Sequence, residues 1–504
     1  MNNIYSALNR QYSLDDYCVL GDVKNEEQRE SLESSGYHVG FTAANWKRRF
    51  PRINPDRVIC QKTILFPNTL YYYDPAGCIC FPLQIYGGQV LLPTHADDSG
   101  FEESILKQIR ALEAARNRKD YIRLLAPIAS EGSGRMAMTL LAGLLKNEEP
   151  NPELYKAFIH YYTFVDCGAK ELYASGIFDR LWLCKSDGQK RHTARAMREL
   201  PEMLTVYRGE GSESTDYREA FSWTLDINKA YFFASWRGSE KARIVKAQVK
   251  KADVVEYLTE RNESEILAFP GEIDDSSVSV IQCVTWEGFL SVVGSRKKSA
   301  RDGYGDFDLD AYSGASLLAK VNQIYDDLNR DDIADHDRKH SIRVALLASY
   351  LFRKDILPKY RKAGLIQKEQ VFSVYAELMD AAAWHDAGRT HGGVSREHGA
   401  KSYALYRNEM GDDPVAEFLM SFHCRPDCEA RAYWNSKLAR SRRLGTEESD
   451  LVWSAFQILK DADALDRWRF GALSEDFVRV EQLRTETAKR LMPIASLLQG
   501  ARLQ

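Results

Sequence analysis

The spacing of apolar residues predicts helical and strand regions that alternate along the chain. From about residue 101 apolar side chains recur at helical intervals, and helices are predicted to continue through 120–128, 134–146 and 152–163. Strand-like runs rich in β-branched and aromatic residues are predicted at 60–73, 80–92, 205–207, 243–249, 266–269 and 278–284. From residue 317 to the end almost every stretch has a helical period.

These patterns predict a multidomain chain. Residues 1–100 are expected to be a mixed α/β region that contains a hairpin around the turn at 74–77 and ends in a short linker at 95–100. Residues 101–290 are expected to form an α+β domain with a helical cap. The polar, Gly/Ser-rich stretch 291–316 is predicted to link it to an all-α domain at 317–504. Residues 1–100 carry no readable chemistry, and target recognition is the role considered for them.

Composition limits the classes of function. Among the 504 residues 44% are hydrophobic and 28% charged, and the net charge of −4 gives no global attraction to nucleic acid or anionic membrane. The longest apolar runs are far shorter than the roughly 20 residues of a membrane helix. Residues 1–16 are polar and lack the hydrophobic core of a signal peptide. The nine scattered cysteines suit a reducing compartment, so a cytoplasmic protein is predicted, or a secreted effector delivered into a host cytosol.

Four side chains of the kind that bind metals lie on predicted apolar helix faces of the C-terminal region. His340 shares its stripe with Val344 and Leu347, and apolar stripes also lead into His385-Asp386 and into Asp463. A buried carboxylate needs a partner, and two imidazoles with two carboxylates can satisfy one another through a divalent cation. Each residue taken singly could equally be a separately satisfied core residue.

The segments HSIRVALLASYL (340–351), WHDAGR (384–389) and LKDADALDR (459–467) resemble the ordered motifs of the HD phosphohydrolase superfamily. The resemblance implies an all-α core that binds one or two divalent metals, often Mn, Mg, Ni or Fe. It selects Asp463 as the acidic ligand, with Asp461 as the alternative, because the family's metal aspartate usually follows Ala and precedes a Leu-containing turn.

Other residues near these motifs are candidates for the site. Arg343 and Arg389 are placed to meet phosphate, or else form ion pairs. His398 and His423 are candidates for a second metal, for a leaving-group acid, or for simple packing. The segment HDAGRTHGGVSREHGAKSY (385–403) also resembles the phosphodiesterase domains of SidE-type effectors, which process an ADP-ribosylated ubiquitin.

A second set of polar residues lies at strand positions between 205 and 265. Tyr207-Arg208-Gly209 ends one predicted strand, Ser222-Trp223-Thr224 begins another, and Glu263-Ser264-Glu265 precedes a third. Period-two alternation would send both glutamates to one face of the sheet.

This order resembles the Arg–Ser–Glu class of mono-ADP-ribosyltransferases. The resemblance implies that Arg208 holds the NAD phosphates or the adjoining ribose, and that Ser222 and Thr224 brace the nicotinamide side. Glu265 would grip the nicotinamide ribose and stabilise the oxocarbenium-like charge, and Glu263 would orient or deprotonate the acceptor. Trp223 departs from the commoner Ser-Thr-Ser, and in this class an acid at the position of Glu263 often accompanies arginine acceptors.

Taken together, the resemblances imply a bifunctional enzyme, in which NAD-dependent ADP-ribosyl transfer is coupled to phosphodiester or phosphoester hydrolysis. The acceptor is expected to be a macromolecule, protein rather than nucleic acid, with no membrane partner, and the second substrate a nucleotide or phosphodiester. The setting would be a secreted effector or antiviral defence. Two alternatives stay open: an HD nucleotidase whose middle domain only senses a nucleotide, and a non-enzymatic regulator.

Overall fold

The computed structural model describes residues 17–19, 46–48, 50–61, 70–83, 98–129, 134–163, 178–212, 214–236, 241–259, 263–294, 314–328, 336–363, 367–393, 395–438, 446–471 and 477–500. The chain divides into two compact units. The first comprises 1–204, 217–222 and 250–273, and the second comprises 205–216, 223–249 and 274–504. This division cuts through the domain predicted at 101–290, and the predicted domain borders stay predictions. The fold is of mixed α/β type with a helical C-terminal region, as expected.

The first unit contains a four-stranded antiparallel sheet in the order β1-β2-β3-β4, formed by Tyr17–Val19, Val58–Gln61, Leu70–Asp74 and Ile79–Leu83. The hairpin predicted around 74–77 is confirmed, because β3 pairs with β4 across this turn and Tyr72 lies opposite Phe81. The two rings stack with centroids 5.2 Å apart. The predicted strand residues 62–69 and 84–92 lie outside the described part of the chain.

Helices α1 to α6 of the first unit span Asp98–Asn117, Tyr121–Ala129, Gly134–Asn147, Pro152–Tyr162, Phe178–Cys184 and Asp187–Ala196. The predicted helical stretches are therefore confirmed. The linker predicted at 95–100 is wrong in its last three residues, which already belong to α1, since hydrophobic spacing cannot mark the polar first turn of a helix. Helix α4 begins as its sequence indicates, with Asn151 accepting hydrogen bonds from the amides of Glu153 and Leu154.

The first unit also contains the antiparallel pair β8 (Val254–Leu258) and β9 (Glu265–Ala268). Strand β8 was not predicted. The apolar side chains of these strands are buried in one core with α4, as Phe158, Val255 and Leu267 illustrate. The pair matters for function because β9 begins at Glu265.

Four further strands are β5 (Met203–Glu210), β6 (Ser222–Thr224), β7 (Arg243–Lys250) and β10 (Ser279–Gln282). They belong to the second unit, except that Met203, Leu204, Ser222 and Lys250 are part of the first. They lie in the order β10-β7-β5-β6. Helix α7 (Ile227–Trp236) packs closely on β5 at Gly209. A Cβ atom there would lie 1.7 Å from the carbonyl oxygen of Ala230, so only glycine permits this approach.

The rest of the second unit is helical, as predicted for 317–504. Helices α8 to α17 span Trp286–Val293, Gly314–Asp327, Arg338–Leu351, Leu357–Ala363, Lys368–Trp384, His398–Met410, Pro414–Phe422, Asp427–Tyr433, Thr446–Leu465 and Glu486–Gly500. The predicted linker 291–316 overlaps the ends of α8 and α9, and its residues 295–313 lie outside the described part. In the part of the chain that the structure describes, no helix has the length and apolarity needed to cross a membrane.

Helix α10 is the centre of this bundle. Every residue from His340 to Leu351 is buried, so the helix is enclosed on all sides rather than on one face. It packs against α12 and α16, the helices that carry the other predicted ligands. Polar side chains of α10 must therefore find their partners inside the bundle.

The first unit buries an ion pair that gives a test of its core. The side chain of Lys185 is 1% exposed, and its Nζ lies 3.0 Å from Glu256, which also accepts a hydrogen bond from the hydroxyl of Tyr155. Removing one member of a buried pair leaves the other without compensation. We expect Lys185→Met to lower the free energy of unfolding by about 3–5 kcal/mol.

Chemical denaturation followed by far-UV circular dichroism measures this change. Lys156→Met is the matched control, because its ion pair with Glu153 is half exposed and solvent screens it. Equal destabilisation by the two substitutions would contradict the prediction.

Candidate functional site

The four ligands predicted for a metal meet in the second unit. His340 lies in α10, His385 and Asp386 follow the end of α12, and Asp463 lies near the end of α16. The Nε2 atom of His340 is 3.0 Å from the Nε2 atom of His385. It is 3.4 Å from Oδ2 of Asp386 and 3.4 Å from Oδ1 of Asp463. Three of these groups are buried and Asp463 is partly exposed, and together they could hold a metal ion.

The hydrogen bonds of the two imidazoles fix which nitrogen can bind a metal. Nδ1 of His340 lies 2.7 Å from Oδ2 of Asp466, and Nδ1 of His385 lies 2.9 Å from the carbonyl oxygen of Ala382. A carboxylate and a carbonyl only accept, so both Nδ1 atoms carry the hydrogen and both Nε2 atoms present lone pairs. Two nitrogens that bind one cation at about 2.0–2.1 Å can lie about 3 Å apart, so the pair suits a shared cation.

A second pair of imidazoles repeats this arrangement. The Nε2 atoms of His398 and His423 are 2.9 Å apart, while their Nδ1 atoms lie 2.9 Å from the carbonyl oxygen of Ser395 and 2.6 Å from that of Met420. Oδ1 of Asp386 is 3.1 Å from Nε2 of His398 and 3.8 Å from Nε2 of His423. The two oxygens of Asp386 therefore face two different histidine pairs.

A glycine allows the second pair to form. A Cβ atom on Gly399 would lie 2.1 Å from the carbonyl oxygen of Met420 and 3.1 Å from Nδ1 of His423. Any side chain at this position would push α13 away from α14. Gly399 thus keeps His398 next to His423.

Burial and charge set the protonation of these groups. Burial lowers the pKa of His385 to about 3, and burial likewise lowers the pKa of His398, so both imidazoles are neutral at pH 7. Burial opposes ionisation of Asp386, but its interactions with the surrounding histidines outweigh this effect and hold its pKa well below the usual range. A carboxylate among imidazoles is a donor set that divalent transition metals prefer.

Two residues that the sequence reading missed support this centre. Nδ1 of His336 lies 2.8 Å from Oδ2 of Asp386, and Asp466 holds the Nδ1 hydrogen of His340. Asp466 could have been found by helical spacing, since it follows Asp463 by three residues, whereas His336 precedes the first residue of α10 and the helical period gives no signal for it.

The two predicted arginines have different surroundings. Arg343 donates to both oxygens of Asp466, at 2.6 and 3.0 Å, so the structure places it behind His340 in a buried ion pair. This position gives no support to the phosphate contact predicted for it. Arg389 lines the cavity beside the metal ligands, where its Nε lies 3.4 Å from Asp386 and its Nη1 donates to the carbonyl oxygen of Gly393.

Asp461, the alternative ligand, has another partner. Its carboxylate accepts hydrogen bonds from the amides of Arg484 and Thr485, each at 2.9 Å, just before α17. Asp463 instead belongs to the cluster of His340 and His385 that could hold a metal. The geometry therefore favours Asp463, as the sequence pattern does.

In the first unit the structure brings together two of the residues predicted to bind NAD. The hydroxyl of Ser222 donates to the carboxylate of Glu265, and the hydroxyl of Tyr162 donates to the same oxygen at 3.0 Å. Tyr162 was not predicted, because it lies more than a hundred residues away along the chain.

The predicted alternation of Glu263 and Glu265 is wrong. Strand β9 begins only at Glu265, and Ser264 has φ of +47°, which is left-handed rather than extended backbone. Period two requires an extended chain at each residue, so Glu263 lies in the bend before the strand and its side chain is not set by the sheet.

The other two predicted NAD-binding residues belong to the second unit. Nε of Arg208 is 3.1 Å from Oε1 of Glu210, and its Nη2 donates to the carbonyl oxygen of Thr215 at 2.9 Å. Thr224 is buried, pairs with Tyr207 across β5 and β6, and accepts a hydrogen bond from the amide of Asp226. The charge of Arg208 is thus partly offset by a carboxylate on its own strand.

No family model matches the chain, and comparison with the curated proteins and with the solved structures likewise gives no match. The functional assignment therefore depends on the geometry of the site.

The two neighbouring aspartates of α16 give a direct test of the ligand set. We expect Asp463→Ala to lower the metal content of the purified protein, because it removes a candidate ligand. Asp461→Ala should leave the metal content unchanged and instead destabilise the protein by about 1–3 kcal/mol, since the amides before α17 lose a buried acceptor. Elemental analysis and thermal unfolding separate the two effects, and the reverse pattern would transfer the ligand role to Asp461.

Proposed function

We propose that the C-terminal helical region is a metal-dependent phosphohydrolase that cleaves a phosphodiester or phosphoester. The observation that supports this most is the convergence of two imidazole pairs on the two oxygens of Asp386. His340, His385, Asp386 and Asp463 would hold one divalent cation. Asp386 would also bind a second divalent cation, together with His398 and His423. Cations bound in this way make hydroxide available near neutral pH and polarise a phosphoryl oxygen.

The residues of the chain supply position and charge. Asp466 and Arg343 orient His340, while the carbonyl oxygens of Ala382 and Met420 orient His385 and His423. Such supporting contacts keep each lone pair directed at the cation. Because the Nδ1 hydrogens of His398 and His423 are engaged with carbonyls and their Nε2 lone pairs converge, a ligand role suits them better than that of a leaving-group acid.

We further propose that Glu265 belongs to an NAD-dependent ADP-ribosyltransferase site, which would act on a macromolecule, protein rather than nucleic acid. The specific observation is that two hydroxyls, from Ser222 and Tyr162, fix one oxygen of the Glu265 carboxylate. A carboxylate held in one position can stabilise the positive charge that develops on ribose as nicotinamide leaves. Coupling of the two activities is part of this proposal, since an ADP-ribose adduct contains phosphoester bonds for the second site.

The hydrolase proposal predicts the loss of metal and activity together. His385→Ala with Asp386→Ala should remove bound metal and reduce Mn²⁺-dependent hydrolysis of bis(p-nitrophenyl) phosphate by about 100-fold or more, because the cation supplies several kcal/mol of transition-state stabilisation. Arg407→Gln is the control, since Arg407 is exposed and lies outside the cavity lining. Undiminished hydrolysis by a metal-free double variant would contradict the proposal.

The transferase proposal predicts a separate effect of Glu265. In a His385→Ala background, so that the second site cannot consume an adduct, Glu265→Gln should reduce ADP-ribosyl transfer about 100-fold or more while NAD binding persists. Tyr162→Phe removes one of the two hydroxyls and should reduce transfer less. Intact-mass analysis of lysate proteins incubated with labelled NAD measures the adduct, and transfer at the wild-type rate by Glu265→Gln would show that Glu265 is not catalytic. Absence of NAD consumption by the unmodified protein would favour a domain that only senses a nucleotide.

A further inference from the structure

A cavity of about 550 Å³ in the second unit opens beside the candidate metal ligands. Its lining includes Asp386, Asp463, His398 and His423, so a substrate bound there would meet the metal centre. The lining also carries six cationic side chains: Arg389, Arg425, Lys460, Arg467, Arg469 and Arg484. Of its four carboxylates two are candidate metal ligands, so positive charge dominates the wall beyond the metal centre.

Arg389 lies 3.4 Å from Asp386, and two further cations share the carboxylate of Asp427. Nζ of Lys460 lies 2.6 Å from Oδ1 of Asp427, and Nε of Arg484 lies 2.8 Å from Oδ2 of the same carboxylate. Burial opposes ionisation of Asp427, but hydrogen bonds from Arg484 and Lys460 lower its pKa to about 2. Asp427 and Asp461, whose Oδ1 lies 3.3 Å from Nη1 of Arg484, together offset these two cations. Arg425, Arg467 and Arg469 remain as the candidates to meet a ligand.

Arg469 is the most enclosed of the remaining cations. Its side chain is 8% exposed, and its guanidinium lies over the ring of Phe470 at 4.2 Å. Nη1 is 3.5 Å from Asp466, which already binds Arg343 and His340, and Nε has no hydrogen-bond acceptor among the described residues. A buried guanidinium with an incomplete set of acceptors is costly and favours an anion.

Arg425 and Arg467 add to this charge. Nε of Arg425 is buried and also lacks an acceptor in the described part of the chain, and its guanidinium lies over Phe422 at 5.2 Å. Arg467 donates to the neutral side chain of Gln482 at 2.9 Å, so its charge is not cancelled by that contact. Three arginines are thus directed to one cavity with little internal compensation.

The cavity offers little surface for an aromatic base. Phe470 and Ala464 are the apolar side chains of its lining apart from Cys424, whereas small-molecule sites are usually lined by apolar and aromatic groups. Recognition here must depend on charge and hydrogen bonding rather than on the shape of a nucleobase.

We propose that the substrate carries at least one further phosphate next to the one that is cleaved, and that Arg425, Arg467 and Arg469 bind this second phosphate without selecting a base. A diphosphate ester meets this description. The identity of the cleaved phosphate rests on the proposed hydrolase function, whereas the anion subsite depends only on the arginines. The two can therefore be tested separately.

Isothermal titration of the metal-free, full-length protein with inorganic orthophosphate and pyrophosphate tests the subsite. Pyrophosphate should bind about tenfold more tightly or better, since the second phosphate gains charge-assisted hydrogen bonds. Arg467→Gln and Arg425→Gln should each weaken pyrophosphate binding about tenfold, because each removes a cation from the subsite. Arg407→Gln removes the same charge from an exposed position outside the lining and should change neither affinity.

Thermal unfolding verifies that each variant is folded, and Arg467→Lys, which keeps the charge, should retain part of the preference. Equal affinity for orthophosphate and pyrophosphate in the wild type would overturn the proposal.

Diphosphates of adenosine, guanosine, cytidine and uridine should bind within about threefold of one another, because stacking on a single ring such as Phe470 discriminates weakly between bases. A large preference for one base would overturn the claim that the base is not read. If the wild-type protein bound pyrophosphate but no divalent metal, the hydrolase proposal would be rejected and the anion subsite would stand.

Discussion

The second unit depends on one buried carboxylate. Asp386 is 4% exposed, and an isolated anion at such a depth would be protonated or would destabilise the fold. Its two oxygens instead face His340 and His336 on one side and His398 and His423 on the other. Helices α10, α13 and α14, with the residues that flank them, must arrive in register to supply these partners. The packing of the bundle and the chemistry of its centre are therefore one constraint, since neither is satisfied without the other.

The chain orients its imidazoles with very local means. His385, His398 and His423 each direct Nδ1 at the carbonyl oxygen of the residue three positions earlier, at 2.9, 2.9 and 2.6 Å. Two of the three follow the last residue of a helix, where carbonyl groups lack helical partners. The same contact thus gives a carbonyl group at the end of a helix a hydrogen-bond donor and fixes the tautomer of the imidazole. His340 differs because it lies inside α10, whose carbonyls are already bonded, and it needs the carboxylate of Asp466 for the same purpose.

The sequence could predict the parts of the site that depend on period and spacing. His340 and Asp463 lie in helices and His385 directly follows one, and helical packing brings the three together as expected. Contacts between distant segments left no such signal, which is why the partnership of Tyr162 with Glu265 was not foreseen. The sequence could not decide whether Arg343 binds phosphate, because that depends on whether Arg343 forms an ion pair with Asp466. A single left-handed residue, Ser264, was enough to break the alternation expected for Glu263 and Glu265.

The two candidate centres use carboxylates in opposite ways. Besides His336 and Arg389, Asp386 faces the Nε2 atoms of His340 and His398, whose lone pairs cannot neutralise an anion, so these groups favour a proton or a cation between them. Glu265 accepts hydrogen bonds from two hydroxyls at one of its oxygens, and such hydrogen bonds do not cancel the charge of a carboxylate. The first arrangement favours a bound metal, and the second favours a carboxylate that meets a positive charge on the substrate. If hydroxyl donors surrounded Asp386, the metal assignment would lose its basis. If imidazole lone pairs surrounded Glu265, the transferase assignment would lose its basis.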